Sequence, residues 1–427
     1  MDGWLATWGC ALQPPDQPDD PELAHTTLRQ TIRVTVGGSA ARLTLSNEYG
    51  AEALELTAVT VARPAGGRAG VSDVEPDSLV PVTFGGSTSV TIPPGARRTS
   101  DEFAYVIEPR TNLAVTLDIG SAPARLTTHP GSRTTSHVVP CQASHVVPCQ
   151  DGRPPRQLPS VPTAPAQPPE LLADSAPASS AEKPSRGRPS NARPGAGTTA
   201  VTHWYFLATL DVRPAEPGAA VVCLGDSLTD GRGSTTDGND RWPDVLADRL
   251  HAAGRTSVAV INQAAGGSRV LRDGLGIAAV RRFDRDVVGT AGVRWLVVFA
   301  GINDIGMGDA TVRAQQRIGD ELIAGYAHLI GRAHAHGIAV YGATLIPFGG
   351  HEYDDPRGRR EQTRRRVNDW IRTSGQFDAV LDFDQVVRDP ADHARVRPAL
   401  HDGDGLHLNP LGYRALADAV PLDLFAG

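Results

Sequence analysis

Apolar residues recur along this chain with two different periods, and the change from one to the other divides it. From Trp4 to about Val139 the period is two. Leu28, Ile32, Val34 and Val36 alternate with Arg29, Thr31, Arg33 and Thr35; Leu113, Val115, Leu117 and Ile119 alternate with Asn112, Ala114, Thr116 and Asp118. Such alternation turns one face of a strand to a core and the other to water, so it predicts half-buried antiparallel strands. Gly37-Gly38, Gly66-Gly67, Gly85-Gly86 and Pro93-Pro94-Gly95 punctuate them, at intervals that suit a β-sandwich. No stretch here is patterned for a helix longer than two turns.

Beyond Ala219 five short apolar runs alternate with helix-period segments: Ala219 to Leu224, Val258 to Asn262, Trp295 to Ala300, Ile338 to Thr344 and Ala379 to Phe383. Strands that take turns with helices imply a parallel sheet with right-handed crossovers. The first helix is expected after Asp240-Arg241-Trp242-Pro243, with Asp240 as its cap. A long one from near Ala310 to Gly337 would turn Ile318, Leu322, Tyr326 and Leu329 inward, with His334 and His336 as structural residues of its last turn. A further helix spans about Arg359 to Thr373, and the last begins near Asn409.

Between the two rhythms, Asp151 to Thr199 holds 11 of the chain's 34 prolines and no aromatic residue. It buries too little apolar surface to offset its ordering entropy and reads as disordered. His203 to Val212 then resumes a strand, with Trp204, Phe206, Leu210 and Val212 on one face, expected to return to the N-terminal sandwich. The organisation read from the sequence is therefore an all-β, sandwich-like domain over 1–213 with a Pro-rich insertion at about 151–199. A linker at 214–218 leads to an α/β domain over 219–427.

Composition narrows the field. A chain of 427 residues, 40% hydrophobic, can build two or three cores. The formal net charge of -7 offers nothing global to nucleic acid or an anionic membrane. Lys183 is the only lysine, a bias that points to a GC-rich genome rather than to phosphate recognition. No run approaches the roughly 20 apolar residues of a membrane span. The start, Met-Asp-Gly-Trp-Leu-Ala-Thr-Trp, has no secretory leader, so a cytoplasmic location is expected, with secretion as the alternative if a leader is missing from this text.

Four cysteines are too few for a disulfide scaffold, and Cys223 reads as a small core residue. The heptad Ser136 to Gln142 recurs as Ser144 to Gln150 and spaces His137, Cys141, His145 and Cys149 four apart. These are zinc-ligand types, but Pro140 and Pro148 prevent one helix from aligning them and the spacing fits no common zinc pattern. No metal is expected there.

Acyl transfer needs a nucleophile, a base, a carboxylate to hold the base, and donors for the developing oxyanion. Each is available at a strand end or loop of the second half. Gly225-Asp226-Ser227 ends the first strand, Asn262 to Arg269 with its paired glycines follows the second, and Gly301-Ile302-Asn303-Asp304 follows the third. Asp404-Gly405-Leu406-His407 precedes the last helix, close enough in sequence for the carboxylate to fix the ring's tautomer. Taken singly, Ser227 could cap a helix, His407 could cap the last one, and Asn303 could stabilise a turn. Their occurrence together at one edge of one sheet favours chemistry.

These four segments resemble the blocks of the SGNH, or GDSL, hydrolase superfamily: Gly225 to Ser227, the glycine loop, Gly301 to Asp304, and Asp404 to His407. Trp4-Leu-Ala-Thr-Trp, Leu45-Ser-Asn-Glu-Tyr-Gly and Trp204-Tyr-Phe further resemble a two-domain bacterial subgroup with an N-terminal β domain. The resemblance implies a flavodoxin-like five-stranded parallel sheet flanked by helices. It also implies Ser227 as nucleophile, His407 as base and Asp404 as its partner, with the N–H of Ser227, the N–H of Gly267 and the amide of Asn303 as oxyanion donors. Gly267 is preferred to Gly266 from the order of small, Gly, polar and Arg residues. Leu408 stands where many members have Pro.

The expected activity is hydrolysis of a short acyl or acetyl ester, on a sugar or natural product, with no cofactor, no metal and no nucleic-acid partner. Acyl transfer by the same residues and a non-catalytic carbohydrate-binding role are the alternatives. The loop Ser234 to Asp240 and the segment Phe348 to Arg357, with His351 and Tyr353, are candidates for the leaving-group side.

Overall fold

The computed structural model describes residues 3–15, 20–140 and 197–426. Cys141, His145, Cys149 and nearly all of the Pro-rich stretch lie outside them.

Two large antiparallel sheets and a two-stranded one, Thr128–His129 with Trp204–Tyr205, make up the N-terminal part. One large sheet runs Leu5–Gly9, Leu207–Val212, Gly38–Ser46 and Arg97–Thr99, with Phe103–Ile107 also on Gly38–Ser46. The other runs Thr199–Val201, Ser136–Pro140, Thr26–Arg33, Asn112–Ser121, Leu54–Ala62 and Val80–Pro81, with Val90–Ile92 also on Leu54–Ala62. The predicted apolar faces lie between the sheets, where Leu28, Val34, Leu113, Val115 and Leu117 are buried.

Three expectations need correction here. Thr26–Arg33 and Asn112–Ser121 are not half-buried, since Arg29, Thr31, Ala114 and Thr116, expected in water, are buried too, whereas Phe103–Ile107 does alternate buried and exposed. The loop that contains Gly67, Gly70 and Ser72 folds over that outer face. Arg29 donates to Thr116 Oγ1 at 2.9 Å and to the Ser72 carbonyl, and Asn112 Nδ2 donates to the Gly67 carbonyl at 2.8 Å. His203 to Val212 is not one strand, because Phe206 takes a left-handed φ of 61° and separates Trp204–Tyr205 from Leu207–Val212. Thr199, the last residue of the stretch read as disordered, belongs to a strand paired with Ser136–Pro140. His137, read with the cysteines, sits on that partner strand with Nε2 2.9 Å from the Gly70 carbonyl.

The C-terminal part is a five-stranded parallel sheet in the order Val258–Ala264, Ala219–Gly225, Val293–Phe299, Ala339–Ala343 and Ala379–Leu381. Helices Trp242–Ala252, Val312–Ala335, Arg359–Thr373 and Pro410–Asp418 flank it. Ile318, Leu322, Tyr326 and Leu329 are buried, as their spacing requires. His334 lies 2.9 Å from Asp378 and His336 the same distance from the Arg332 carbonyl. The first helix is capped otherwise than expected: its N-cap is Arg241, whose backbone N–H donates to Asp244 from within the helix at 3.1 Å. Asp240 instead accepts from Thr235 N–H. No helix among the described residues is long and apolar enough to cross a membrane.

This strand order reverses direction beside Ala219–Gly225, since the chain runs to one neighbour first and then crosses to the other. In open parallel sheets, ligands bind outside the carboxyl ends at such a point.

Candidate active site

All but the first residue of Ala219–Gly225 are buried, and Cys223 is core, its thiol pushed up by burial. The strand ends at Gly225, where a Cβ would come within 2.4 Å of Thr229 Oγ1, so the close approach of the following turn requires glycine. The chain turns directly into the single helical turn Ser227–Asp230, capped by the Asp226 carboxylate, which accepts from Leu228 N–H at 3.1 Å. Asp226 therefore does the capping, and the Ser227 hydroxyl is left for other work.

That hydroxyl lies 2.8 Å from His407 Nε2, and His407 Nδ1 lies 2.6 Å from Asp404 Oδ2. A carboxylate only accepts, so Nδ1 carries the hydrogen and Nε2 faces the hydroxyl as an acceptor. Burial pushes the Asp404 carboxyl up, but hydrogen bonds from the His407 ring and from the N–H groups of Leu406 and His407 outweigh it. The group is held well below the usual carboxylate range. His407 does not cap the last helix; Asn409 does, accepting from Gly412 N–H at 3.0 Å. Leu408 is fully buried and bridges to His401, so packing restrains this loop.

The loop after Val258–Ala264 begins against the end of the neighbouring strand, where Ala265 N–H donates to the Gly225 carbonyl at 3.2 Å. Gly266 N–H donates to Asp230 Oδ2 at 2.9 Å and Ser268 N–H to the Ala265 carbonyl at 3.0 Å. Gly267 lies between them at φ 68°, and its N–H makes no hydrogen bond to the described residues. Gly266 is thus already committed, and Gly267 is not. The Ser227 N–H, first in its helix, has no helical acceptor.

Asn303 sits in the short helix Ile302–Gly306 with its orientation fixed on both sides. Nδ2 donates to the Ser268 carbonyl at 2.9 Å, which leaves its second hydrogen free, and Oδ1 accepts from the Tyr353 hydroxyl at 2.8 Å. Asp304 holds the far end of the glycine loop by accepting from Val270 and Leu271 N–H at 2.8 and 3.1 Å. Burial pushes that carboxyl up to about 6 even so. Arg282 ties the sheet edge beneath, donating to the Gln263 and Gly225 carbonyls.

Tyr353 belongs to a segment expected on the leaving-group side, but it is buried and holds the Asn303 amide instead. Burial raises its phenol to about 12, so it remains a donor through the neutral range. Nothing in the sequence ties it to a residue fifty positions earlier. Its neighbour His351 does lie at the site, its Nε2 3.9 Å from Asp404 Oδ2 and its ring 5.9 Å from that of His407. The loop Ser234 to Asp240 turns elsewhere: Asp237 accepts from Thr135 N–H and Oγ1 on the N-terminal domain.

One group of three possible metal ligands occurs among the described residues, His351, Asp404 and His407, with donor atoms within 4.8 Å of one another. The Asp404 oxygens are spent on the His407 ring and on two backbone N–H groups, so a cation there would have to displace them.

Asp226 carries a prediction of its own. Burial raises its carboxyl from 3.8 to about 7, so between those values the folded chain binds more protons than the unfolded one. Stability therefore falls as pH rises through that window. Asp226→Asn keeps the capping oxygen and removes the titration. Its melting temperature should decline less than that of the wild type between about pH 5 and about pH 8. Parallel declines in calorimetry would contradict this assignment.

Residues 223–415 match the GDSL-like lipase/acylhydrolase family. None of the curated proteins matches the chain. Similar solved structures include the acetylxylan esterase Axe2 from Geobacillus stearothermophilus, 21% identical over 48% of this chain and 92% of its own, with a TM-score of 0.36. A GDSL-like lipase from Bacteroides thetaiotaomicron is 19% identical over 47% of this chain and 84% of its own, with a TM-score of 0.33. The α/β half of the chain is therefore a GDSL-like lipase/acylhydrolase domain, and the protein that carries it behind an N-terminal β domain is a carboxylic ester hydrolase.

Proposed function

We propose that the protein is a serine esterase that cleaves a short acyl or acetyl ester through an acyl-enzyme. Ser227 Oγ attacks the ester carbonyl carbon while His407 Nε2 takes its proton. The carbonyl oxygen gathers negative charge and is met by the N–H groups of Ser227 and Gly267 and by the free amide hydrogen of Asn303. His407 then gives its proton to the departing alcohol oxygen as the C–O bond breaks. In the second half, water attacks the acyl carbon, His407 takes a proton from it, and His407 passes that proton to Ser227 Oγ as the acyl C–Oγ bond breaks and the acid leaves. Asp404 stays ionised throughout and holds the ring. No redox partner or metal enters this sequence.

The observation that carries the reading is the continuous pair of hydrogen bonds from Asp404 through His407 to Ser227, 2.6 and 2.8 Å long, and the Gly267 N–H on the loop after the adjacent strand has no partner among the described residues. The exposed Arg232 and the His351 ring flank Asp404, a polar rim that suits the alcohol side of an acylated sugar or similar small polar molecule.

A panel of p-nitrophenyl esters of rising chain length, run beside an acetylated sugar, tests this. The acetyl and other short esters should turn over fastest. A rise in kcat/KM out to long chains would overturn the short-acyl assignment, and ester formation in the presence of an added alcohol would identify acyl transfer. Absence of Ser227-dependent turnover on every ester would favour a non-catalytic binding role.

A further inference from the structure

We propose that the N-terminal β domain supplies two positioning residues, Gln13 and His129, that aim the Gly267 N–H at the reacting carbonyl. The inference rests on the reading of Gly267 as an oxyanion donor.

The peptide that joins Gly266 to Gly267 is planar and trans, so the Gly266 carbonyl and the Gly267 N–H point in opposite directions. Gln13 Nε2, from the other domain, donates to that carbonyl at 3.1 Å. Holding the carbonyl fixes the plane and sends the Gly267 N–H the opposite way. The preceding peptide is pinned too, since Gly266 N–H donates to Asp230 Oδ2 at 2.9 Å. The other oxygen of Asp230 lies 2.9 Å from His129 Nε2, and His129 Nδ1 lies 2.7 Å from the Ala11 carbonyl. Both ring nitrogens thus face oxygen, and the ring is held between Asp230 and the Ala11 carbonyl. The two peptide planes around Gly266 are therefore each gripped by a chain of contacts that starts in the N-terminal domain.

Both grips come from one piece of structure. Gln13 pairs with Thr128 through two backbone hydrogen bonds, 2.8 and 3.0 Å long, and His129 is the next residue. The His129 ring stacks on Trp204 at 5.6 Å, and Trp204 packs edge-on against Trp8 at 5.0 Å. Gln13, His129 and Asp230 are all buried, so water competes little for these bonds and each has few other orientations. The cavity beside them, lined in part by Trp8, His129, Trp204 and Asp230, measures about 20 Å³. That is room for a water molecule and no substrate. A glycine at φ 68° needs such support, because that conformation is only one of several open to it.

The test uses the full chain and two independent readouts. Gln13→Leu and His129→Leu should each lower kcat on p-nitrophenyl acetate by about 10- to 100-fold with KM little changed, the usual cost of misplacing a group near the chemistry. His129→Gln, which can still donate to Asp230, should recover most of the loss. Amide hydrogen exchange should quicken at residues 264–268 in Gln13→Leu while the strands of both domains exchange as before. Unchanged exchange at 264–268 overturns the proposal whatever the turnover, and so does a kcat loss matched by faster exchange throughout the molecule, the mark of general destabilisation. Exchange does not depend on esterase activity, so failure of the esterase reading would show separately, as turnover that survives Ser227→Ala.

Discussion

Ser227→Ala should lower turnover of a p-nitrophenyl ester by about 10⁴- to 10⁶-fold, His407→Ala should do nearly the same, and the double variant should be little worse than either. The effect is this large because alanine leaves no oxygen to carry the acyl group, and without the imidazole the hydroxyl at 2.8 Å has no acceptor for its proton. The effects do not add because each residue works only through the other. What remains comes from substrate binding and the oxyanion donors, which neither change removes. KM should move little, since neither side chain is invoked to bind the ground state. His407 Nε2 must be an acceptor when the reaction begins, and Asp404, held well below the usual carboxylate range, keeps the ring in that tautomer.

Asn303→Ala should cost about 10²–10³ in kcat, again with little change in KM, the usual effect of one lost oxyanion donor. The amide is fixed in advance by Ser268 on its nitrogen side and Tyr353 on its oxygen side, so it need not reorganise when charge develops. Alanine removes both the donor and the anchor of the Ser268 carbonyl. Tyr353→Phe removes only the bond to Oδ1, and should reduce kcat by less than Asn303→Ala does. Steady-state kinetics on one ester measure both. A Tyr353→Phe loss as large as that of Asn303→Ala would mean that the phenol contacts the reacting group itself.

Much of this arrangement was legible in the residues because it is local. A run of small apolar residues ending at Gly225, a Pro behind Asn409, and the inward spacing of Ile318, Leu322, Tyr326 and Leu329 each follow from backbone sterics and a single helical or strand period. Ser227, Asn303, Asp404 and His407 lie at strand ends and loops, where the sequence itself places them. What escaped notice was long-range. The outer face of Thr26–Arg33 reads as solvent-facing until a loop from elsewhere covers Arg29, and His203 to Val212 reads as one strand because nothing local marks the turn at Phe206. Tyr353, Gln13 and His129 were missed for the same reason. Each acts on a residue 50 to 253 positions away in the chain, and no periodicity reaches that far.

The split also accounts for what the N-terminal domain contributes. Its alternating pattern announces a sandwich and says nothing of chemistry, yet Glu48 pairs with Arg285, Thr135 with Asp237, and His129 with Asp230. These contacts with the α/β domain are polar and buried or partly buried, and the bonds of Gln13 and His129 lead to the glycine loop.

The most direct measurement is covalent labelling of the intact protein with a fluorophosphonate, followed by peptide mass analysis. One adduct per chain on the peptide that contains Ser227, absent from Ser227→Ala and greatly slowed in His407→Ala, is the result expected of a serine activated by its imidazole. An actively hydrolysing protein that labels on another residue, or labels Ser227 as fast without His407 as with it, would contradict the mechanism.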